Sequence, residues 1–246
     1  MNIGIFMDTY EPQVNGVVTS TKMLKEELEN LGHQVTIITI NDPRYKKDET
    51  NVIRLSSFPV PLIPEQRLAL FNSYKIIKQI KDLNLDLIHT QTEFSIALLG
   101  RLLAKILNLP VVHTYHTMYE DYMHYITGDK FIQQAAKLAR KMTKLYCKNC
   151  DQIIVPSVKV KEALIDYGVE NEIEVIPTGI RLSNFKKEKY SQADILAIKD
   201  NLGINPSDPL VLYIGRLAQE KSIDVIIKEF PKLLSELPKA QFLIVG

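Results

Sequence analysis

The chain has 246 residues, 46% hydrophobic and 24% charged, with 10 glycines and 12 prolines. That balance belongs to a globular protein and excludes collagenous and low-complexity chains. Lys and Arg number 30 against 29 Asp and Glu, a formal charge of +1, which argues against a surface that coats nucleic acid along its whole length.

The first predicted strand, 2–6, is apolar and meets an acid at Asp8. It lacks the cationic start and long apolar run of a secretory leader. No later window approaches the roughly 18 apolar residues of a spanning helix. The expectation is a cytosolic protein, with room for one that rests on a membrane surface. The loop Asp8-Thr9-Tyr10-Glu11-Pro12-Gln13-Val14-Asn15-Gly16-Val17 follows. It holds no G-x-G-x-x-G, so it excludes the nicotinamide and flavin fingerprint. Gly16 opens a helix there, where free N–H groups and the helix dipole favour phosphate. Leu24, Leu28 and Leu31 form that helix's apolar stripe, and Gly32 is placed to end it.

Strands are predicted at 34–40 and 52–55. A helix carries Ile76, Ile77, Ile80 and Leu83, and a strand at 85–89 runs into His89-Thr90-Gln91-Thr92-Glu93. The next helix carries Leu98, Leu99, Leu102, Leu103 and Ile106, with Ser95 as its expected N-cap. A strand at 111–114 then leads into His113-Thr114-Tyr115-His116-Thr117-Met118-Tyr119-Glu120-Asp121-Tyr122. In open α/β sheets ligands bind at the carboxyl ends of strands. Imidazole can donate to sugar hydroxyls or phosphate there and can carry charge near neutral pH. The alternative is a satisfied structural role. No H-E-x-x-H spacing exists, so no zinc site is expected.

Residues 130–148 contain six cations and no acid. Lys137, Lys141, Lys144 and Lys148 share one helical face, with Lys130 and Arg140 beside them. Phe131, Ala135, Leu138, Met142 and Leu145 make an apolar stripe about a third of a turn away. Two readings fit, and both can hold at once: an ordinary surface helix with its stripe on the core, and a helix at an anionic bilayer. Cys147 and Cys150 end it. Two cysteines make no disulfide framework and no complete zinc site, so a structural role is expected.

Strands at 152–156 and 172–176 complete the first part. Pro177-Thr178-Gly179-Ile180 reads as a turn, and 184–192 is polar and lysine-rich. These features divide the chain into 1–182 and 183–246. The second part holds strands at 210–214 and 241–245 around one helix. Its loop Gly215-Arg216-Leu217-Ala218-Gln219-Glu220-Lys221-Ser222 offers Arg216 and Lys221 to a diphosphate, with Ser222 as a plausible cap. It is not a Walker A loop, and a solvated charged loop is the alternative. The alternation of strand and helix predicts an α/β chain with doubly wound parallel sheets. A lone β-α-β unit cannot bury both faces of its sheet, so a fragment of a longer protein is expected.

Together the loops resemble the retaining GT-B glycosyltransferases of family four, the "glycosyl transferases group 1". Pro12–Val17, Ile176–Ile180, Gly215–Lys221 and Leu243–Gly246 carry the resemblance, which covers essentially the whole chain. Within the family the strings 8–14, 88–95 and 113–125 are similar to those of diacylglycerol glucosyltransferases of Gram-positive bacteria and mollicutes.

The resemblance implies a Rossmann-like acceptor-binding domain followed by the start of a nucleotide-sugar-binding domain. It implies transfer of glucose from UDP-glucose to 1,2-diacylglycerol with retention, in membrane glycolipid and lipoteichoic acid anchor synthesis. Asn15, Gly16, His116, Arg216 and Lys221 would bind the donor, and His116, Arg216 and Lys221 would serve catalysis. Tyr10, His89, Glu93 and Tyr119 would bind the acceptor. Lys137, Arg140, Lys141, Lys144 and Lys148 would meet the membrane. No bound cofactor, metal or nucleic acid is implied, and stimulation by a divalent cation is compatible with it. The expected place is the cytoplasm, peripheral on the inner face of the cell membrane. The family's Glu-x7-Glu element would lie beyond Gly246, so residues 1–246 alone are expected to be inactive. The alternatives are a family member with another acceptor, such as phosphatidylinositol or a soluble metabolite, and a non-catalytic nucleotide-sugar-binding fragment.

Overall fold

The computed structural model describes residues 1–45, 49–60, 63–70, 74–116, 132–218 and 221–246. Contacts divide the chain after Ile180, into Met1–Ile180 and Arg181–Gly246. Each unit has its own sheet.

The first unit is built on β1 (Asn2–Phe6), β2 (Gln34–Ile40), β3 (Val52–Leu55), β4 (Ser57–Val60), β5 (Ile63–Ala69), β6 (Leu87–Thr90), β7 (Val111–Thr114), β8 (Gln152–Val155) and β9 (Ile173–Val175). Seven of these form one parallel sheet in the order β3-β2-β1-β6-β7-β8-β9. The order reverses beside β1, which makes its carboxyl edge the topological switch point where such sheets take ligands. The antiparallel pair β4 and β5 stands apart from this sheet. It is absent from the predicted strands because Pro59 and Pro64 interrupt the pattern; Pro is tolerated only at sheet edges.

Among the described residues, five helices flank the sheet: α1 (Gly16–Asn30), α2 (Tyr74–Asp82), α3 (Ser95–Leu107), α4 (Ile132–Cys147) and α5 (Val158–Asp166). Both sheet faces are covered, as the continuous apolar strands require. Ile3, Ile5, Met7, Val35 and Ile37 face α1, against Val18, Leu24 and Leu28. Phe6, Ile38, Ile88, Val111 and Ile153 form the opposite core with α2, α3 and α4. Gly100 of α3 lies directly over Phe6: a Cβ there would stand 2.7 Å from the ring. Gly32 ends α1 as expected, at φ +87°. Its N–H bonds Glu29 and the N–H of His33 bonds Leu28, the two bonds of a Schellman motif.

The second unit holds two short 3-10 turns, α6 (Gln192–Asn201), β10 (Leu210–Ile214), α7 (Ile223–Glu236) and β11 (Gln241–Val245). A helix absent from the predicted elements, α6, begins where the polar stretch 184–192 ends. Its start was readable: Ser191 and Asp194 make a reciprocal capping box. β10 and β11 pair in parallel, and Leu212 and Ile214 remain exposed on their small sheet.

Candidate functional site

Three loops of the first unit leave neighbouring strands at one edge: those after β1, β6 and β7. Asp8, just past β1, is buried and organises them. Its carboxylate accepts from Ser95 Oγ at 2.6 Å, the Ile96 N–H at 2.7 Å and Thr92 Oγ1 at 2.7 Å. A carboxylate on a helix N-terminus is favourable in both charge and hydrogen bonding. This corrects the expected cap. Ser95 is the first helical residue and donates to Asp8, while Phe94 holds the cap position without a side-chain bond. An acid eighty-seven positions upstream in sequence takes over the role, which local pattern cannot show.

Three histidines sit below or beside these loops. His113 is fully buried, with Nδ1 2.9 Å from Thr90 Oγ1 and Nε2 3.3 Å from Glu93 Oε1. The Tyr146 ring of α4 lies 4.8 Å away, and its hydroxyl donates to the Thr92 carbonyl. His89 is buried, with Nε2 2.8 Å from Thr114 Oγ1. Burial, with help from His113 and His116, pushes its pKa down to about 3. His116 is only partly buried, with Nε2 2.6 Å from Gln91 Oε1. Burial and then His113 push it down to about 4. Near neutral pH, His116 is therefore a neutral hydrogen-bonding group, and the charged form allowed by its ordinary pKa is suppressed.

The remaining expected residues fall in different surroundings. Asn15 caps α1, with Oδ1 accepting the Val18 N–H at 2.9 Å and Nδ2 donating to Thr9 Oγ1. Gly16 is the first helical residue, and nothing lies within 4 Å of where a Cβ would project. A ligand can approach that backbone closely. Tyr10 is buried in the α1-side core, and burial with Glu49 and Glu11 raises it to about 12. Tyr10 and His89 are both largely buried. Tyr119 lies outside the described residues. In the second unit, Arg216 and Lys221 are exposed on the β10–α7 segment, and Ser222 holds the cap position without a side-chain bond.

α4 has three faces. Ala136, Thr143, Tyr146 and Cys147 turn to the sheet. Lys137, Arg140, Lys141, Lys144 and Lys148 are exposed on a second. Lys144 Nζ reaches to 3.7 Å from Glu170, and Arg140 lies over the Tyr167 ring. The third is the apolar stripe, and here the core-packing reading fails: Leu138, Met142 and Leu145 are 61%, 56% and 56% exposed. Small and aromatic side chains fill the space against the sheet, so the long apolar ones point outward. α3 does the same with Phe94, Leu98, Leu102 and Ile106. Between α3 and α4 runs a trough of about 560 Å³, lined mainly by Phe94, Leu98, Leu138, Met142 and Leu145. Glu93 also lines it. This trough escaped sequence reading, although both apolar stripes were visible. Cys147 and Cys150 are buried and unpaired in a disulfide, and burial raises both thiols, to about 12 and 11. That fits a structural role.

The geometry is that of known proteins. Residues 14–184 match the model of Glycosyltransferase Family 4, and residues 194–246 match Glycosyl transferases group 1. The chain belongs to glycosyltransferase family 4. It is 38% identical over 247 residues to the alpha-monoglucosyldiacylglycerol synthase of Streptococcus pneumoniae, covering 100% of this chain and 56% of that protein. It is 38% identical over 252 residues to the synthase of that name from Acholeplasma laidlawii, covering 100% and 63%. The chain thus spans roughly three-fifths of these relatives. Among solved structures, the catalytic domain of starch synthase IV from Arabidopsis thaliana aligns with TM-score 0.61 at 14% identity, covering 100% of this chain and 68% of that one. A Rickettsia africae glycosyltransferase gives 0.58 at 16%, with the same coverage. At such identities these two bear on the fold alone, and the fold is of the GT-B type.

Proposed function

We propose that this chain is the acceptor-binding domain and the opening of the nucleotide-sugar-binding domain of a retaining glucosyltransferase. The reaction moves glucose from UDP-glucose to the free hydroxyl of 1,2-diacylglycerol and releases UDP. The observation that carries this reading is identity to two alpha-monoglucosyldiacylglycerol synthases across all of this chain. The outward apolar and basic faces of α4 add support, because a lipid acceptor must be met at a bilayer.

In this reading the Gly16 backbone N–H approaches the donor diphosphate at the start of α1, an anion-favouring position. Arg216 and Lys221 neutralise the diphosphate as it leaves, when charge builds on it. His116, neutral and oriented by Gln91, contacts the donor sugar. Glu93 borders the acceptor. The protein works peripherally on the inner face of the cell membrane, and glycolipid or lipoteichoic acid anchors are the destination of its product. A full-length protein incubated with UDP-glucose and diacylglycerol in anionic vesicles should release UDP and form an α-glucosyl lipid. UDP release with a soluble acceptor, and none with diacylglycerol, would replace this reading with that of a family member for another acceptor.

A further inference from the structure

The α3–α4 trough is lined mostly by carbon, with Arg101, Thr143, Tyr146 and Asn149 also on its walls. Leu98 is 53% exposed although its neighbour Leu99 is 5% exposed, so α3 splits its leucines between core and trough. Exposed apolar surface gathered into one concavity marks a binding site more often than scattered surface does. Leu98 and Phe94 come from α3, and Leu138, Met142 and Leu145 from α4. Glu93, which also lines the trough, approaches His113 beneath the loops that end β6 and β7. The trough therefore joins a mainly apolar lining to a carboxylate that reaches the candidate site, chemistry that suits an amphiphile with its reactive head near Glu93.

The neighbouring face of α4 narrows the choice of occupant. Lys137, Lys141 and Lys148 are exposed about a third of a turn from the apolar stripe. A stretch of protein covering the trough would leave this cationic row to be matched separately. An anionic bilayer matches it directly and also supplies hydrocarbon chains at the depth of the adjacent apolar face.

We propose that the trough between α3 and α4 receives a fatty acyl chain of the lipid acceptor, drawn from an anionic bilayer, and so presents the glycerol hydroxyl toward Glu93. This rests on the lipid-acceptor reading above. The chain is held by area burial, with Leu98 and Met142 as opposing walls.

The test uses the full-length protein and vesicles of phosphatidylglycerol carrying diacylglycerol with a photoreactive diazirine in its acyl chain. Mass mapping should find the label on α3 and α4. Leu98→Trp with Met142→Trp fills the trough from two exposed positions. Labelling there should fall about tenfold, the loss expected when about two methylene groups lose their place, while total vesicle binding stays unchanged. Label placed elsewhere, label on α3 and α4 that persists in the filled variant, or a trough closed to lipid by another segment or a second copy would each overturn the proposal. A short-chain diacylglycerol separates the two claims. The filled variant should lose activity on long-chain acceptors by a much larger factor than on the short-chain one, and equal losses would overturn the proposal. If the unaltered protein glucosylates neither, the functional reading fails, and the labelling pattern still decides the trough.

Discussion

The two sides of the first unit's sheet treat the same kind of helix in opposite ways. On one side Leu24 and Leu28 of α1 pack on the core of Ile3, Ile5 and Met7, while Leu31, just past the helix, is exposed. On the other side α3 and α4 carry equally clear apolar periodicity, yet much of it faces outward. The difference lies in what fills the interface. In α4 the sheet is met by Ala136, Thr143, Tyr146 and Cys147, which leaves Leu138, Met142 and Leu145 with no core to enter. A helix with two apolar faces, one small and one large, has a core and something else to bind.

The largest expected effect comes from the residue that holds the outward-facing side in place. Asp8→Ala removes the acceptor for Ser95, Thr92 and the Ile96 N–H, and leaves buried donors unpaired. A loss of about 3 kcal/mol or more is expected in chemical denaturation. A change under about 1 kcal/mol would show that α3 is held by packing alone. Next comes a pair of adjacent leucines. Leu99→Ala should cost about 3 kcal/mol, as a buried truncation does, while Leu98→Ala should stay within about 0.5 kcal/mol. Equal costs would mean that Leu98 is a core residue and that the trough is closed.

A smaller effect concerns pH. His89 has a folded pKa of about 3 against an ordinary 6.5. The folded form resists protonation, so the unfolded chain binds the extra proton. Its contribution is complete above about pH 6.5 and is lost as pH falls toward 3. The slope is up to about 1.4 kcal/mol per pH unit in that window. His89→Gln should flatten the acid side of the stability profile; an unchanged slope would place the acid sensitivity elsewhere.

Much of this was legible in the sequence. The strands β1, β2, β3, β7, β10 and β11 follow from continuous Val, Ile and Leu runs, and the glycine end of α1 from one residue. The lysine row of α4 and its angle to the apolar stripe follow from helical spacing. Other features depend on contacts far apart in the chain. Asp8 caps a helix that begins beyond β6. Tyr10 and His89 have polar character suited to a ligand, and their burial is set by packing that local sequence does not show. Periodicity gives the existence of an apolar face and not its destination, which is why the trough between Leu98 and Met142 became visible only with α3 and α4 side by side.

The central claim is that the α3–α4 side faces lipid and the α1 side faces water. Tryptophan fluorescence tests it most directly, since this chain contains no Trp. Leu138→Trp and, at the exposed end of α1, Leu31→Trp can each be placed in the full-length protein. On adding anionic vesicles with brominated acyl chains, Trp at position 138 should shift to the blue and be quenched, while Trp at position 31 should not respond. Equal responses, or quenching at position 31 alone, would contradict the account.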